Sequence, residues 1–280
     1  MTDAFGPRLA RTFAASGQLC VGIDPHSGLL EVWGLPDSAA GAREFGLRVV
    51  EAAAGRAGIV KPQVAFYERH GSAGYAALEQ VVAAARAADL IVIADVKRGD
   101  VGTSVDAYGE AWLTPGSPLE VDAMTAVAYQ GLASLDGVLA RAQAAGKGVF
   151  VLAATSNPEA FATQTATRAD GRSVAAGVVA DVAERNAASD RDGLGSVGVV
   201  VGATVALTDF GLSPASLVGM PILVPGFGQQ GARIEQLPDL FGAAAQNVLV
   251  SASRSILSAG PAGLESAIDA AVAEVAACRA

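Results

Sequence analysis

Eight short apolar runs punctuate the chain from end to end: QLCVGIDP (18–25), GIVKPQVAFY (58–67), LIVIADVK (90–97), VDAMTAVAY (121–129), GVFVLAAT (148–155), VGVVVGAT (197–204), PILVPG (221–226) and NVLVSASRS (247–255). They lack strict alternation of apolar and polar residues, which is how strands covered on both faces read, and parallel sheets are built from such strands. Ala-, Glu- and Arg-rich segments of helical character lie between them, among them 39–58, 72–88, 131–146 and 173–189. Repeated β/α alternation predicts an α/β fold, a closed (β/α)8 TIM barrel in preference to an open doubly wound sheet, because right-handed crossovers close it without knots. A length of 280 residues suits one such barrel, so a single domain over 1–280 is expected. A helix over 5–16 would cap the barrel bottom, and 262–279 would be the last outer helix.

Composition narrows the function. A hydrophobic fraction of 51% and a mean hydropathy of +0.39 exclude a disordered or collagen-like chain. No apolar run approaches the roughly eighteen residues of a membrane span, and the start MTDAFGPRLARTF lacks the apolar stretch of a signal peptide. The expectation is a soluble cytoplasmic protein with no membrane partner. A net charge of −9 and a pI near 4.7 oppose binding to nucleic acid, yet leave room for a small anion captured locally. Cys20 and Cys278 lack metal or disulfide spacing, and His26 and His70 form neither a metal pair nor part of a catalytic triad.

In a (β/α)8 barrel, function sits at the carboxyl ends of the strands. Polar residues that end an apolar run are therefore the candidates: Asp24, Lys61, Asp95 with Lys97 and Asp100, Asp122, Thr155 with Ser156, the loop after Pro225, and Arg254. The sequence holds three lysines, Lys61, Lys97 and Lys147. In IADVKRGDVGTS, strand alternation puts Asp95 and Lys97 on one face, aimed into the barrel mouth. Asp100 lies past the strand end, facing the same pocket or a neighbouring subunit. A lysine flanked by carboxylates is held as ammonium and serves as an acid. A Schiff-base lysine needs the opposite surroundings. The competing reading is an ion-pair network that supports the barrel. Lys61 reads equally as a snorkelling side chain, and Asp24 before Pro25 as a turn former or an acceptor for a sugar hydroxyl. Near the carboxyl end, VPGFGQQG and VSASRSIL supply the parts of a phosphate grip, with small residues that expose N–H groups, a helix amino terminus, and Arg254; the competing reading is a plain glycine turn with Arg254 on the surface.

Taken in order, these segments resemble the orotidine 5′-phosphate decarboxylase family over nearly the whole chain. DVKRGD resembles its DxKxxD signature; KPQVAFYE, ATSNPE, VPGFGQQG and SRSI resemble its longer, mycobacterial-type branch. The resemblance implies a homodimeric barrel that converts orotidine 5′-monophosphate to uridine 5′-monophosphate and carbon dioxide, the last step of de novo pyrimidine synthesis, without metal or organic cofactor. It makes Lys97 the proton donor to C6, Asp95 the carboxylate facing the substrate carboxylate, Lys61 the link from ribose to the charged array, and Asp100 a contributor to the partner subunit's site. By the same resemblance Asp24 binds ribose, Ser156 reads the pyrimidine amide, and the loop from Pro225 closes over the substrate. Gln230 then bridges base and phosphate, and Arg254 holds phosphate. A cross-subunit hydroxyl falls on Ser104, with Thr103 as the alternative. Asp122, Thr155 and Asn157 stay open between secondary contacts and strand-end capping. Three other readings compete: a Mg²⁺-dependent sister enzyme such as 3-keto-gulonate 6-phosphate decarboxylase or hexulose phosphate synthase, a Schiff-base aldolase, and a silent nucleotide-phosphate binder. ATSNPE and Gln230 favour the nucleotide substrate, and the acidic flanks of Lys97 speak against the aldolase.

Overall fold

A computed structural model describes residues 3–189, 193–228 and 231–278. Eight parallel strands close into a barrel in sequence order: β1 Leu19–Ile23, β2 Ile59–Pro62, β3 Ile91–Arg98, β4 Ala123–Ala126, β5 Gly148–Ala154, β6 Val197–Val201, β7 Ile222–Pro225 and β8 Val248–Ala252. Each falls inside one expected run except β3, which reaches one residue further.

The absence of alternation has its physical cause in two separate apolar layers. Cys20, Ile59, Ile91, Ile93, Ala123, Phe150, Val200, Leu223 and Leu249 fill the barrel interior. The intervening Val60, Val92, Ala94, Met124, Val149, Val199, Val224 and Val250 pack outward under the helices. Side chains two apart share a face. Lys61 therefore stands one layer above Ile59, Asp95 above Ile93, Thr125 above Ala123 and Ser251 above Leu249. The register agrees, since Cys20 aligns with Ile59 and Gly22 with Lys61. The strand interiors thus carry an apolar floor with a polar layer at the carboxyl ends.

The floor is sealed from below. The helix Phe5–Ser16 sends Phe5, Leu9 and Phe13 into the inner cluster; burying each such side chain contributes about 1.5–3 kcal/mol. Phe5 meets Phe150 edge to face, with ring centroids 5.9 Å apart. Gly148 makes room for it, because a Cβ there would lie 2.4 Å from the Phe5 ring.

Three features depart from the sequence reading. Asp122 precedes β4 and so lies at the opposite end of the barrel from the mouth. Its carboxylate accepts from the Val92 amide at 3.0 Å and from Arg8 at 2.7 Å, tying the capping helix to the strands. The end of the second run, AFY, lies in a short helix, Ala65–Glu68, because β2 already ends at Pro62. The crossover from β6 to β7 holds only the 3₁₀ turns Leu207–Phe210 and Pro214–Leu217; Gly211, Pro214 and Gly219 break any longer helix there. The last outer helix spans Gly260–Ala277. Lys147 pairs with Glu120 at 2.8 Å just before β5, a buried structural contact remote from the mouth.

Candidate active site

The carboxyl ends of the strands surround a cavity of about 480 Å³, lined among others by Asp24, Lys61, Asp95, Lys97, Ser156 and Arg254. Asp95 is its centre. Lys61 Nζ donates to Asp95 Oδ2 at 2.8 Å and Lys97 Nζ to Oδ1 at 2.6 Å. Thr125 Oγ1 donates to Oδ1 at 3.0 Å. The Gln63 amide, with its nitrogen turned toward the carboxylate, donates to Oδ2 at 2.9 Å. Four donors thus converge on one carboxylate.

Burial by itself would push the Asp95 carboxyl up, but the Lys61 and Lys97 ammoniums hold it well below the usual carboxylate range. Burial also works against the charge on Lys61. The Asp95 and Asp24 carboxylates outweigh it, and Lys61 sits above the ordinary lysine value. The two lysines differ in access: the Lys61 side chain is 8% exposed and that of Lys97 44%. Lys61 is locked into the floor of the cavity, while Lys97 opens onto it. Cys20, in the layer below, is pushed up to about 12 by burial and then by the Asp95 and Asp24 charges, against the pull of Lys61; it is not a nucleophile.

Lys97 reaches this place by an irregular route. Its φ is +47°, a left-handed conformation that costs a non-glycine residue about 1–3 kcal/mol. It falls in a bulge, since the β3–β4 register shifts between Ala94 and Arg98. Simple alternation therefore predicts the right neighbour for Asp95 but not the backbone that delivers it. The Arg98 guanidinium bonds Glu68 and lies 5.7 Å from the Tyr108 ring centroid, anchoring the strand end on the outside.

Around this centre the remaining candidates sort themselves. Ser253 donates to Asp24 Oδ2, while the buried Asp24 Oδ1 has no hydrogen-bond partner. Thr155 and Asn157 shape the loop after β5: the Thr155 hydroxyl donates to Asn157 Oδ1 at 2.8 Å, and Asn157 precedes the helix Pro158–Gln164. Pro225, Gly226 and Phe227 form the wall beside Arg254. Asp100, Thr103 and Ser104 do not line this cavity. They follow β3, with Thr103 and Ser104 exposed, and Asp100 accepts from the Val101 amide at 2.8 Å. Gln230 lies outside the described residues. Sequence reasoning missed Gln63, Thr125 and Ser253. Thr125 carried a readable signal, a lone hydroxyl two residues beyond an inward alanine.

Among the described residues, no three His, Cys, Asp or Glu side chains gather as a metal site, and no helix is long and apolar enough to cross a membrane.

Residues 17–267 match the family described as orotidine 5′-phosphate decarboxylase / HUMPS. The orotidine 5′-phosphate decarboxylase of Salinispora tropica is 49% identical over 259 residues, covering 92% of this chain and 91% of its own. That of Streptomyces coelicolor is 48% identical over 260 residues, covering 92% and 91%. The crystal structure of a Streptomyces avermitilis protein assigned to the same enzyme superposes with a TM-score of 0.94 at 46% identity, covering 99% of this chain and 96% of that one. Leishmania donovani OMP decarboxylase gives 0.79 at 30% identity, covering 99% and 98%.

Proposed function

The chain belongs to the orotidine 5′-phosphate decarboxylase / HUMPS family and decarboxylates orotidine 5′-monophosphate to uridine 5′-monophosphate, and on that premise we propose that Lys97 is the acid that protonates C6 of the pyrimidine. The observation that carries the proposal is the 2.6 Å contact of Lys97 Nζ with an Asp95 carboxylate that is itself saturated by donors. When the C6–carboxylate bond breaks, its electron pair stays on C6 in an orbital that the ring π system delocalises poorly. A cation beside that carbon is what such a transition state needs. The C6–H bond then forms as an Nζ–H bond of Lys97 breaks, and the exposed side chain recovers its proton from solvent.

Asp95 does not accept the proton, because it is held anionic between two cations. It aims Lys97 and, secondarily, crowds the departing carboxylate. The unpartnered Asp24 Oδ1 accepts a ribose hydroxyl. Ser156 reads the pyrimidine amide, Arg254 grips phosphate beside the loop from Pro225, and Gln230 bridges base and phosphate. Binding energy from the phosphate and ribose thereby positions the reacting carbon. Asp100 and the Ser104 or Thr103 hydroxyl act in the partner subunit's site. Their location after β3, outside their own cavity, supports this. The enzyme is read as a cytoplasmic homodimer that requires neither metal nor organic cofactor and, at a net charge of −9, binds neither nucleic acid nor membrane.

The test is the loss of absorbance of orotidine 5′-monophosphate without added metal. Lys97→Ala should lower turnover by about 10⁴-fold, the upper range for losing a positioned acid, while uridine 5′-monophosphate still binds. Comparable turnover would remove Lys97 as the acid. Mixing Lys97→Ala with Asp100→Ala subunits should restore activity to about a quarter of the sites, because half the dimers are mixed and each of those has one intact site. No recovery would end the shared-site reading.

A further inference from the structure

Strand β3 does not run straight to its end. Ala94 pairs with Met124 of β4, and the next paired position is Arg98 with Ala126. Asp95, Val96 and Lys97 therefore stand opposite Thr125 alone. A bulge of this kind bends the strand and re-aims a side chain, and here it includes the left-handed φ of +47° at Lys97. Such a conformation persists only where its surroundings hold it.

Thr125 touches both ends of the bulge. The Lys97 amide donates to Thr125 Oγ1 at 2.9 Å, and that hydroxyl donates to Asp95 Oδ1 at 3.0 Å. The same Oδ1 accepts from Lys97 Nζ at 2.6 Å. These contacts close a ring that leaves the main chain of Lys97, passes through the threonine hydroxyl and the carboxylate, and returns to the ammonium of the same lysine. Thr125 is suited to fix such a ring. It is 1% exposed, its strand is paired on the far side through Phe150 of β5, and a β-branched side chain is stiff about χ1. Its single proton is committed to Asp95, so it has none to give to a substrate.

The geometry points to Thr125 as the positioning residue for the decarboxylation: it holds the left-handed turn at Lys97 and so fixes the height of the ammonium above Asp95. This rests on Lys97 being the acid. Replacing the hydroxyl by a methyl group of the same shape leaves the Lys97 amide without its acceptor and the bulge free to relax.

The experiment compares Thr125→Val, Thr125→Ser and Thr125→Ala with the wild-type enzyme and with Lys97→Ala. It reads kcat and KM for orotidine 5′-monophosphate, and the stoichiometry and affinity of uridine 5′-monophosphate binding by calorimetry. Thr125→Val should lose about 100-fold in kcat, the order expected for ångström-scale misplacement of a reacting group. KM, product affinity and the number of product sites should stay unchanged, and Thr125→Ser should recover most of the rate. Thr125→Ala repeats the measurement if the valine variant folds poorly. A kcat at the wild-type level in Thr125→Val overturns the inference. So does a loss of product-binding sites in proportion to kcat in both Val and Ala variants, which marks a structural role. If Lys97→Ala stays active, the acid itself is misassigned; if Lys97→Ala is inactive while Thr125→Val is fully active, only the role of Thr125 fails.

Discussion

Replacing Asp95 by asparagine tests whether one carboxylate neutralises the floor of the site. The Lys61 and Asp95 side chains are 8% and 10% exposed. In Asp95→Asn the neutral amide can still exchange hydrogen bonds with Thr125 and Gln63, whose hydroxyl and amide can each accept as well as donate, but it no longer supplies the negative charge that Lys61 and Lys97 meet. Breaking a buried ion pair by removing one partner costs about 3–5 kcal/mol; the half-exposed Lys97 adds little to that figure. With an unfolding entropy of about 2.1 cal/mol/K per residue, a chain of 280 residues loses about 5–8 °C in Tm. The assay is thermal unfolding by circular dichroism of Asp95→Asn, Lys61→Met and the double variant at neutral and alkaline pH. In the wild type, the depressed Asp95 pKa gives stability that is present above about 3.9 and lost as pH falls through its folded value. The raised Lys61 pKa gives stability that is present below about 10.4 and lost as pH rises through its folded value. In Asp95→Asn, Lys61 keeps only the Asp24 charge against its burial, so the stability tied to its ammonium is smaller than in the wild type. The double variant should regain more than half of the loss, because it strands no cation. A double variant no more stable than Asp95→Asn would refute the argument.

Much of this architecture was legible in the sequence because burial on both faces leaves a strong mark. A parallel strand between two apolar layers cannot alternate, and every run without alternation holds a strand. The same logic placed Asp24, Lys61, Asp95, Lys97 and Arg254 at one mouth, as polar ends of apolar runs. It failed for Asp122, which precedes its strand instead of ending it; a run of apolar residues with one carboxylate does not say where hydrogen bonding to the neighbours starts. It could not see the bulge, since Val96 and Lys97 fit regular alternation as well as they fit a left-handed turn. Nor could it see Gln63, whose amide reaches Asp95 only because β2 and β3 lie side by side. Pairwise contacts between strands far apart in the chain are made by the closed barrel and have no local signature.

Three further outcomes follow from the same geometry. On the proposal that Arg254 grips phosphate, Arg254→Ala removes a charged contact of about 1.5–3 kcal/mol, so kcat/KM for the nucleotide should drop about 10- to 150-fold. Decarboxylation of orotidine, which lacks phosphate, should not change; an equal loss on both substrates would show that Arg254 does not read phosphate. Turnover should survive dialysis against EDTA, and a loss restored by Mg²⁺ would instead favour the Mg²⁺-dependent sister enzymes. Gly148→Ala separates the floor of the barrel from its mouth. The added Cβ would sit 2.4 Å from the Phe5 ring, an overpacking cost of about 1–3 kcal/mol that should appear as a lower Tm. Because Gly148 begins β5 and the cavity lies beyond its far end, kcat and KM at 25 °C should match the wild type. A changed KM would mean that strain in the plug reaches the site through the strands, against the division of the barrel into a packed floor and a reactive rim.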